Sequence, residues 1–125
     1  TCFKMRNVEK YTTQYFMPSV PCYDWTKKEY VEKNPLKVLE DVYEIILDRK
    51  AHPKEGSYTN YLFDKGIDKI LKKVGEEATE IVIAAKNPDP EEVKYEISDF
   101  LYHMMVLMAE RGVTWEDITQ ELSQR

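Results

Sequence analysis

Four acidic side chains fall into two pairs of equal spacing, Glu77 with Glu80 and Glu96 with Asp99. Residues three apart on a helix share a face, so each pair can aim its oxygens at one point. All four flank the apolar positions of their segments rather than oppose them. Antiparallel packing of the two segments through those apolar positions therefore brings the pairs together. Carboxylates gathered in this way repel one another, and burial pushes their pKa values up. A divalent cation removes the conflict, and an octahedral set of hard oxygen ligands suits Mg²⁺, with Mn²⁺ as a substitute. A single Glu-x-x-Glu is ordinarily solvated surface, and Lys73 with Glu77 forms an ordinary ion pair one turn apart. The signal lies in two matched pairs on consecutive segments.

Basic side chains supply the complementary half of a phosphate site. Lys69, Lys72 and Lys73 precede the carboxylates on the same segment, with Lys69 and Lys73 on the side of Glu77 and Glu80. Arg49, Lys50 and Lys54 stand at the end of an earlier helical segment and in the loop after it. Such groups hold phosphate oxygens that a metal leaves free, although most surface lysines are simply solvated. His103 follows Asp99 by one helical turn, where it can orient a carboxylate, touch substrate or shuttle a proton. His52 sits beside Pro53 in a loop and has no such relation. No Ser-His-Asp arrangement, Gly-x-Ser-x-Gly elbow or P-loop is visible.

The elements that must position these groups are helical. Leu36, Leu39, Val42, Tyr43, Ile46 and Leu47 recur at helical spacing and predict a helix ending near Arg49–Lys50. A Pro- and Gly-containing loop follows, and Ser57 or Thr59 caps a short helix carrying Tyr61, Leu62 and Phe63. A long helix is predicted from about Ile67 to Lys86, with a stripe of Ile67, Ile70, Leu71, Val74, Ala78, Ile81, Val82 and Ala85. Asp89 and Pro90 open the next helix, which turns Val93, Ile97, Phe100, Leu101, Met104 and Met108 inward and stops at Gly112. Thr114 caps a last helix, with Asp117 in a capping-box position. Gly75, inside the long helix, points to a close helix approach. Ile83, Tyr102 and Val106 fall outside the main stripes, and helices that are apolar on two sides are packed on two sides. A homodimer, with the bundle completed between protomers, is the expectation.

Residues 1–35 differ in kind. They are rich in aromatics and prolines and show no long stripe; 12–16 reads as a short strand and 30–33 as a turn of helix. The stretch is expected to be an extended arm or the tail of a preceding domain, and 36–125 the functional domain. With 125 residues and a net charge of −5, the chain lacks the basic face that a nucleic-acid backbone requires. No apolar run is long enough for a membrane span, and no secretory pattern opens the chain. Cys2 and Cys22 allow one disulfide but form no framework. A cytoplasmic protein with no nucleic-acid or membrane partner is expected.

Several runs carry a family resemblance. Gly56-Ser57-Tyr58-Thr59, Lys65-Gly66, Lys69-Ile70, Lys72-Lys73-Val74-Gly75-Glu76-Glu77-Ala78, Glu80, Ala84-Ala85-Lys86-Asn87, Glu96, Asp99, Leu101-Tyr102-His103 and Arg111-Gly112 together resemble the phosphoribosyl-ATP pyrophosphohydrolases of histidine biosynthesis. These belong to the all-α, MazG-like nucleotide pyrophosphohydrolases, whose pattern is Glu-Glu-x-x-Glu followed by Glu-x-x-Asp. The resemblance implies a bundle of four to five helices completed by homodimerisation, Mg²⁺ dependence, and hydrolysis of phosphoribosyl-ATP to phosphoribosyl-AMP and pyrophosphate. It implies Glu77, Glu80, Glu96 and Asp99 as metal ligands. Glu76, Glu77 and Glu80 are implied as catalytic, with Glu76 either a base or a residue acting across the dimer. Arg49, Lys50, Lys69, Lys72, Lys73 and His103 would bind substrate. Thr1-Cys2-Phe3 and the aromatic tail after it resemble, more weakly, the end of a phosphoribosyl-AMP cyclohydrolase, which is fused ahead of this hydrolase in many organisms. Competing expectations are a MazG-like enzyme acting on dUTP or dCTP, and a helical dimerisation module without activity.

Overall fold

A computed structural model describes residues 22–24, 28–31 and 34–125. The chain divides into two compact units, Thr1–Val38 and Leu39–Arg125. In the first unit, β1 (Cys22–Asp24) pairs antiparallel with β2 (Glu29–Val31), with Tyr23 opposite Tyr30. Lys28, just before β2, has a φ of 57°. The turn of helix expected at 30–33 is therefore corrected, because Tyr30 lies in a strand. So short a helical segment cannot offset its own nucleation, whereas an aromatic residue suits a paired strand. The strand expected at 12–16, and Cys2, lie outside the described residues.

Five helices follow: α1 (Lys37–Ala51), α2 (Tyr58–Lys65), α3 (Ile67–Ala85), α4 (Pro90–Arg111) and α5 (Trp115–Ser123). The unit 39–125 contains no strand, so the all-α expectation holds. Boundaries are set by local chemistry. The Ser57 hydroxyl accepts from the Asn60 amide and opens α2. Gly66 then separates α2 from α3 at φ 92°, ψ −177°, a conformation open essentially only to glycine. Asp89 caps α4 with Pro90 in its first turn, and Gly112 closes it in the left-handed region. Thr114 and Asp117 form the expected capping box.

The core draws on α1 through α4. Tyr43 and Ile46, Leu62, Ile70, and Met105, Val106, Met108 and Ala109 are all buried, and Trp115 and Ile118 of α5 pack against them. Two long-range hydrogen bonds tie the ends together: Tyr43 Oη donates to the Val113 carbonyl at 2.6 Å, and Trp115 Nε1 donates to the Leu39 carbonyl at 3.2 Å. Buried Asn60 holds the loop before α2, accepting from the Lys54 amide at 2.8 Å and donating to the Arg49 carbonyl at 2.6 Å.

The faces of the two longest helices differ from expectation. In α4 only Met108 of the predicted inward set is fully buried; Val93, Phe100, Leu101 and Met104 are half-buried and Ile97 is exposed. Val106 and Tyr102, expected to face a partner, turn into the chain's own core. In α3, Leu71 and Val82 of the predicted stripe are exposed, as is Ile83. Both helices are apolar on more than one side, and a pattern of that kind does not specify which side its own chain covers. Gly75 is also corrected: a Cβ built there meets nothing within 4 Å, so no close approach inside the chain explains it.

Candidate active site

The short connection between α3 and α4 makes them an antiparallel pair, the most extensive helix contact in the unit. Glu77 and Asp99 are equally far in sequence from Pro88 in that connection, as are Glu80 and Glu96. An antiparallel hairpin sets such residues level with each other. Oxygens of Glu77, Glu96 and Asp99 accordingly lie within 4.8 Å of one another. Glu77 is buried, at 7% exposure, and the other two are half-buried. Three of the four expected ligands thus converge. Glu80 is exposed at the rim, close enough for its charge to act on Glu96.

The electrostatics register the crowding. Burial raises the pKa of Glu96, and the negative charges of Glu80, Glu77, Asp99 and Glu92 raise it further. One cation faces the cluster from within: Lys73 Nζ lies 3.3 Å from Glu77 and 3.5 Å from Glu76. Burial works against the charge of Lys73, but the hydrogen bond that Lys73 donates to Glu77 leads the interactions that outweigh it, and the pKa is raised. An open groove of about 560 Å³ runs along α3 here, lined by Lys72, Lys73, Glu76, Glu77 and Glu80 among others. Of the expected residues of α3, Lys72 and Lys73 therefore share one surface with Glu76, Glu77 and Glu80.

Other expected residues lie elsewhere. Lys50 donates to the Ala109 carbonyl and to Glu110, both at 3.2 Å, three turns along α4 from Asp99. Arg49 pairs with Asp48 at 3.0 Å and borders a separate groove with Asp41 and Glu44. Within one chain neither reaches the carboxylates, because α1 packs against the far end of α4. Lys69 leans over the Tyr61 ring, 5.9 Å from its centroid. His103 is 4% exposed and both its ring nitrogens are engaged, so it offers substrate no free donor or acceptor.

Tyr58 is the residue that spacing arguments passed over. Its hydroxyl lies 3.0 Å from His103 Nε2, and the charges of Lys73, Glu77 and Asp99 all act on it. Its pKa is raised, chiefly by burial. Sequence offered its place in the Gly56-Ser57-Tyr58-Thr59 run and a helix capped by Ser57 or Thr59; nothing indicated the direction of that helix across α4.

This geometry can serve phosphate hydrolysis: an acidic cluster for a cation, a lysine beside it, and an open groove for a charged chain. Residues 39–125 match the phosphoribosyl-ATP pyrophosphohydrolase family. The phosphoribosyl-ATP pyrophosphatase of Lactiplantibacillus plantarum is 61% identical over 87 residues, 70% of this chain and 82% of that protein. That of Listeria innocua is 64% identical over 88 residues, 70% of this chain and 84% of that protein. The histidine biosynthesis bifunctional protein HisIE of Thermoanaerobacter pseudethanolicus is 61% identical over 95 residues, 76% of this chain but 44% of its own length. The chain thus spans less than half of such bifunctional relatives. The fold and the family match define the class, an all-α, MazG-like hydrolase. The chain belongs to the phosphoribosyl-ATP pyrophosphohydrolase family, hydrolases of histidine biosynthesis.

Proposed function

We propose that residues 39–125 hydrolyse phosphoribosyl-ATP to phosphoribosyl-AMP and pyrophosphate, the second step of histidine biosynthesis, with a divalent cation held by Glu77, Glu96 and Asp99. The convergence of those three carboxylates is the observation that carries the proposal. The donor set fits the ion: all ligand atoms are hard oxygens, and Glu96, whose pKa is raised first by burial and then by the charges of Glu80, Glu77, Asp99 and Glu92, stands in a crowd of negative charge that a cation would relieve. Mg²⁺ is the ion of choice and Mn²⁺ its substitute. Glu80, at the rim, completes the set through its charge or through a water.

A cation there supplies Lewis-acid chemistry, neutralising the triphosphate and polarising a phosphoryl oxygen. The chain's own residues do the rest. Lys73, held against Glu77, is the fixed positive charge nearest the cluster; with Lys72 on the same groove it stabilises the departing pyrophosphate. Glu76, exposed beside Lys73, takes the proton of the attacking water in this reading. Water adds to phosphorus, the anhydride bond between the α- and β-phosphates breaks, and pyrophosphate leaves.

Two further assignments belong to this reading. A second copy of the chain packs on the exposed apolar positions of α3, where Leu71, Val82 and Ile83 are 48%, 63% and 63% exposed, and because Leu71 and Ile83 also line the groove the substrate site borders that interface. Residues 1–35 are the end of a cyclohydrolase half in a bifunctional cytoplasmic protein, a reading supported by the HisIE relatives and by Thr1-Cys2-Phe3. Among the described residues no helix is long and apolar enough to cross a membrane.

Pyrophosphate release should be assayed with phosphoribosyl-ATP, ATP and dUTP, with and without EDTA. Release from phosphoribosyl-ATP that chelation abolishes is expected. Preferential release from ATP or dUTP would move the activity to another nucleotide, and no release from any substrate would overturn the enzymatic assignment.

A further inference from the structure

We propose that Tyr58, acting through His103, is a positioning residue for the carboxylate cluster, setting where Asp99 stands against Glu77 and Glu96. The inference rests on the cation-binding reading above.

The hydrogen bonds form a directed line. His103 Nδ1 lies 2.8 Å from the Asp99 carbonyl, which can only accept, so in the neutral ring Nδ1 carries the hydrogen. Nε2 is then an acceptor, and the Tyr58 hydroxyl at 3.0 Å is its donor. Tyr58 begins α2, whereas His103 and Asp99 lie one turn apart on α4. The line therefore crosses from one helix to another and ends on the backbone of a cluster residue.

Packing fixes the imidazole in that role. The rings of Tyr58 and Tyr102 both meet it edge-on, with centroids 5.8 and 5.6 Å away. A second tie runs alongside, between the hydroxyls of Thr59 and Tyr102. Consecutive residues of α2 thus hold consecutive residues of α4, but only the Tyr58 line leads to Asp99. Groups hydrogen-bonded directly to metal ligands typically alter affinity by about ten- to a hundredfold when removed; Tyr58 acts through His103 and the Asp99 backbone, so the lower end of that range applies.

The parallel tie is a built-in control. Tyr58→Phe removes the hydroxyl and leaves the ring, and Tyr102→Phe does the same to the neighbouring bond. Mn²⁺ should be titrated into the metal-stripped full chain, with free ion followed by electron paramagnetic resonance and thermal melts recorded in parallel. Tyr58→Phe is expected to weaken Mn²⁺ binding about tenfold, while Tyr102→Phe binds as the unaltered protein does. His103→Asn keeps an amide near the Nδ1 position but does not reach Tyr58, and is expected to match Tyr58→Phe. Unchanged affinity in Tyr58→Phe, or equal losses in both tyrosine variants, would overturn the positioning role. Failure of the unaltered protein to bind Mn²⁺ would instead remove the cation site itself.

Discussion

Glu96 stands among four other carboxylates whose charges act on it, and its raised pKa follows from that crowding and, first, from burial. Because its folded value exceeds the unfolded one, its contribution to stability is full below the ordinary carboxylate range. It is lost as pH rises through the folded value. Thermal melts of the metal-stripped protein should therefore show a gain on mild acidification through that window. Glu96→Gln should remove this gain and raise the melting temperature at neutral pH, while abolishing cation binding; a lowered melting temperature would contradict the crowding. Glu77, Glu80 and Asp99 were legible in the sequence as partners of Glu96 because side-chain direction on a helix follows from spacing, and an antiparallel hairpin fixes which residues are level. Lys50 and Arg49 were not, since a charge does not reveal which neighbour it meets; Lys50 is engaged with Glu110. The Tyr58–His103 bond was illegible for the same reason, because it joins distant segments through tertiary packing alone.

Helix ends were the most legible elements, since caps are local chemistry. At α5 the Asp117 amide donates to Thr114 Oγ1 at 3.1 Å and the Thr114 amide donates to Asp117 at 2.9 Å. Removing the cap with Thr114→Ala should cost about 1 kcal/mol in urea unfolding. Hydrogen bonds from the Thr114 backbone and then its side chain lower the Asp117 pKa. A lowered carboxylate stabilises above its ordinary range and loses that contribution as pH falls through the folded value. Asp117→Asn should therefore reduce stability at neutral pH and flatten the acid limb of the stability curve; an unchanged acid limb would place the acid sensitivity elsewhere. Helix faces were less legible than ends. The predicted stripes of α3 and α4 mixed core positions with exposed ones, because period locates apolar residues without saying whether their own chain or another covers them.

At the scale of the molecule, that ambiguity points to assembly. Val106 and Tyr102 belong to the chain's own core, so the case for a second copy now rests on Leu71, Val82 and Ile83 of α3. Gly75 lies between Leu71 and Val82 on the same side of the helix, exposed and without a neighbour inside the chain. Val82→Glu combined with Ile83→Glu should convert a dimer to a monomer in sedimentation equilibrium while the helical circular dichroism persists. Retained dimers would move the interface to another face.

The cluster of Glu77, Glu96 and Asp99 is tested most directly by pyrophosphate release from phosphoribosyl-ATP in Glu77→Gln, read across Mg²⁺ concentration. Turnover is expected to fall at least about a hundredfold at every concentration, with the thermal melt retained. Turnover equal to that of the unaltered protein, with the same Mg²⁺ dependence, would contradict the assignment of these carboxylates to the reaction.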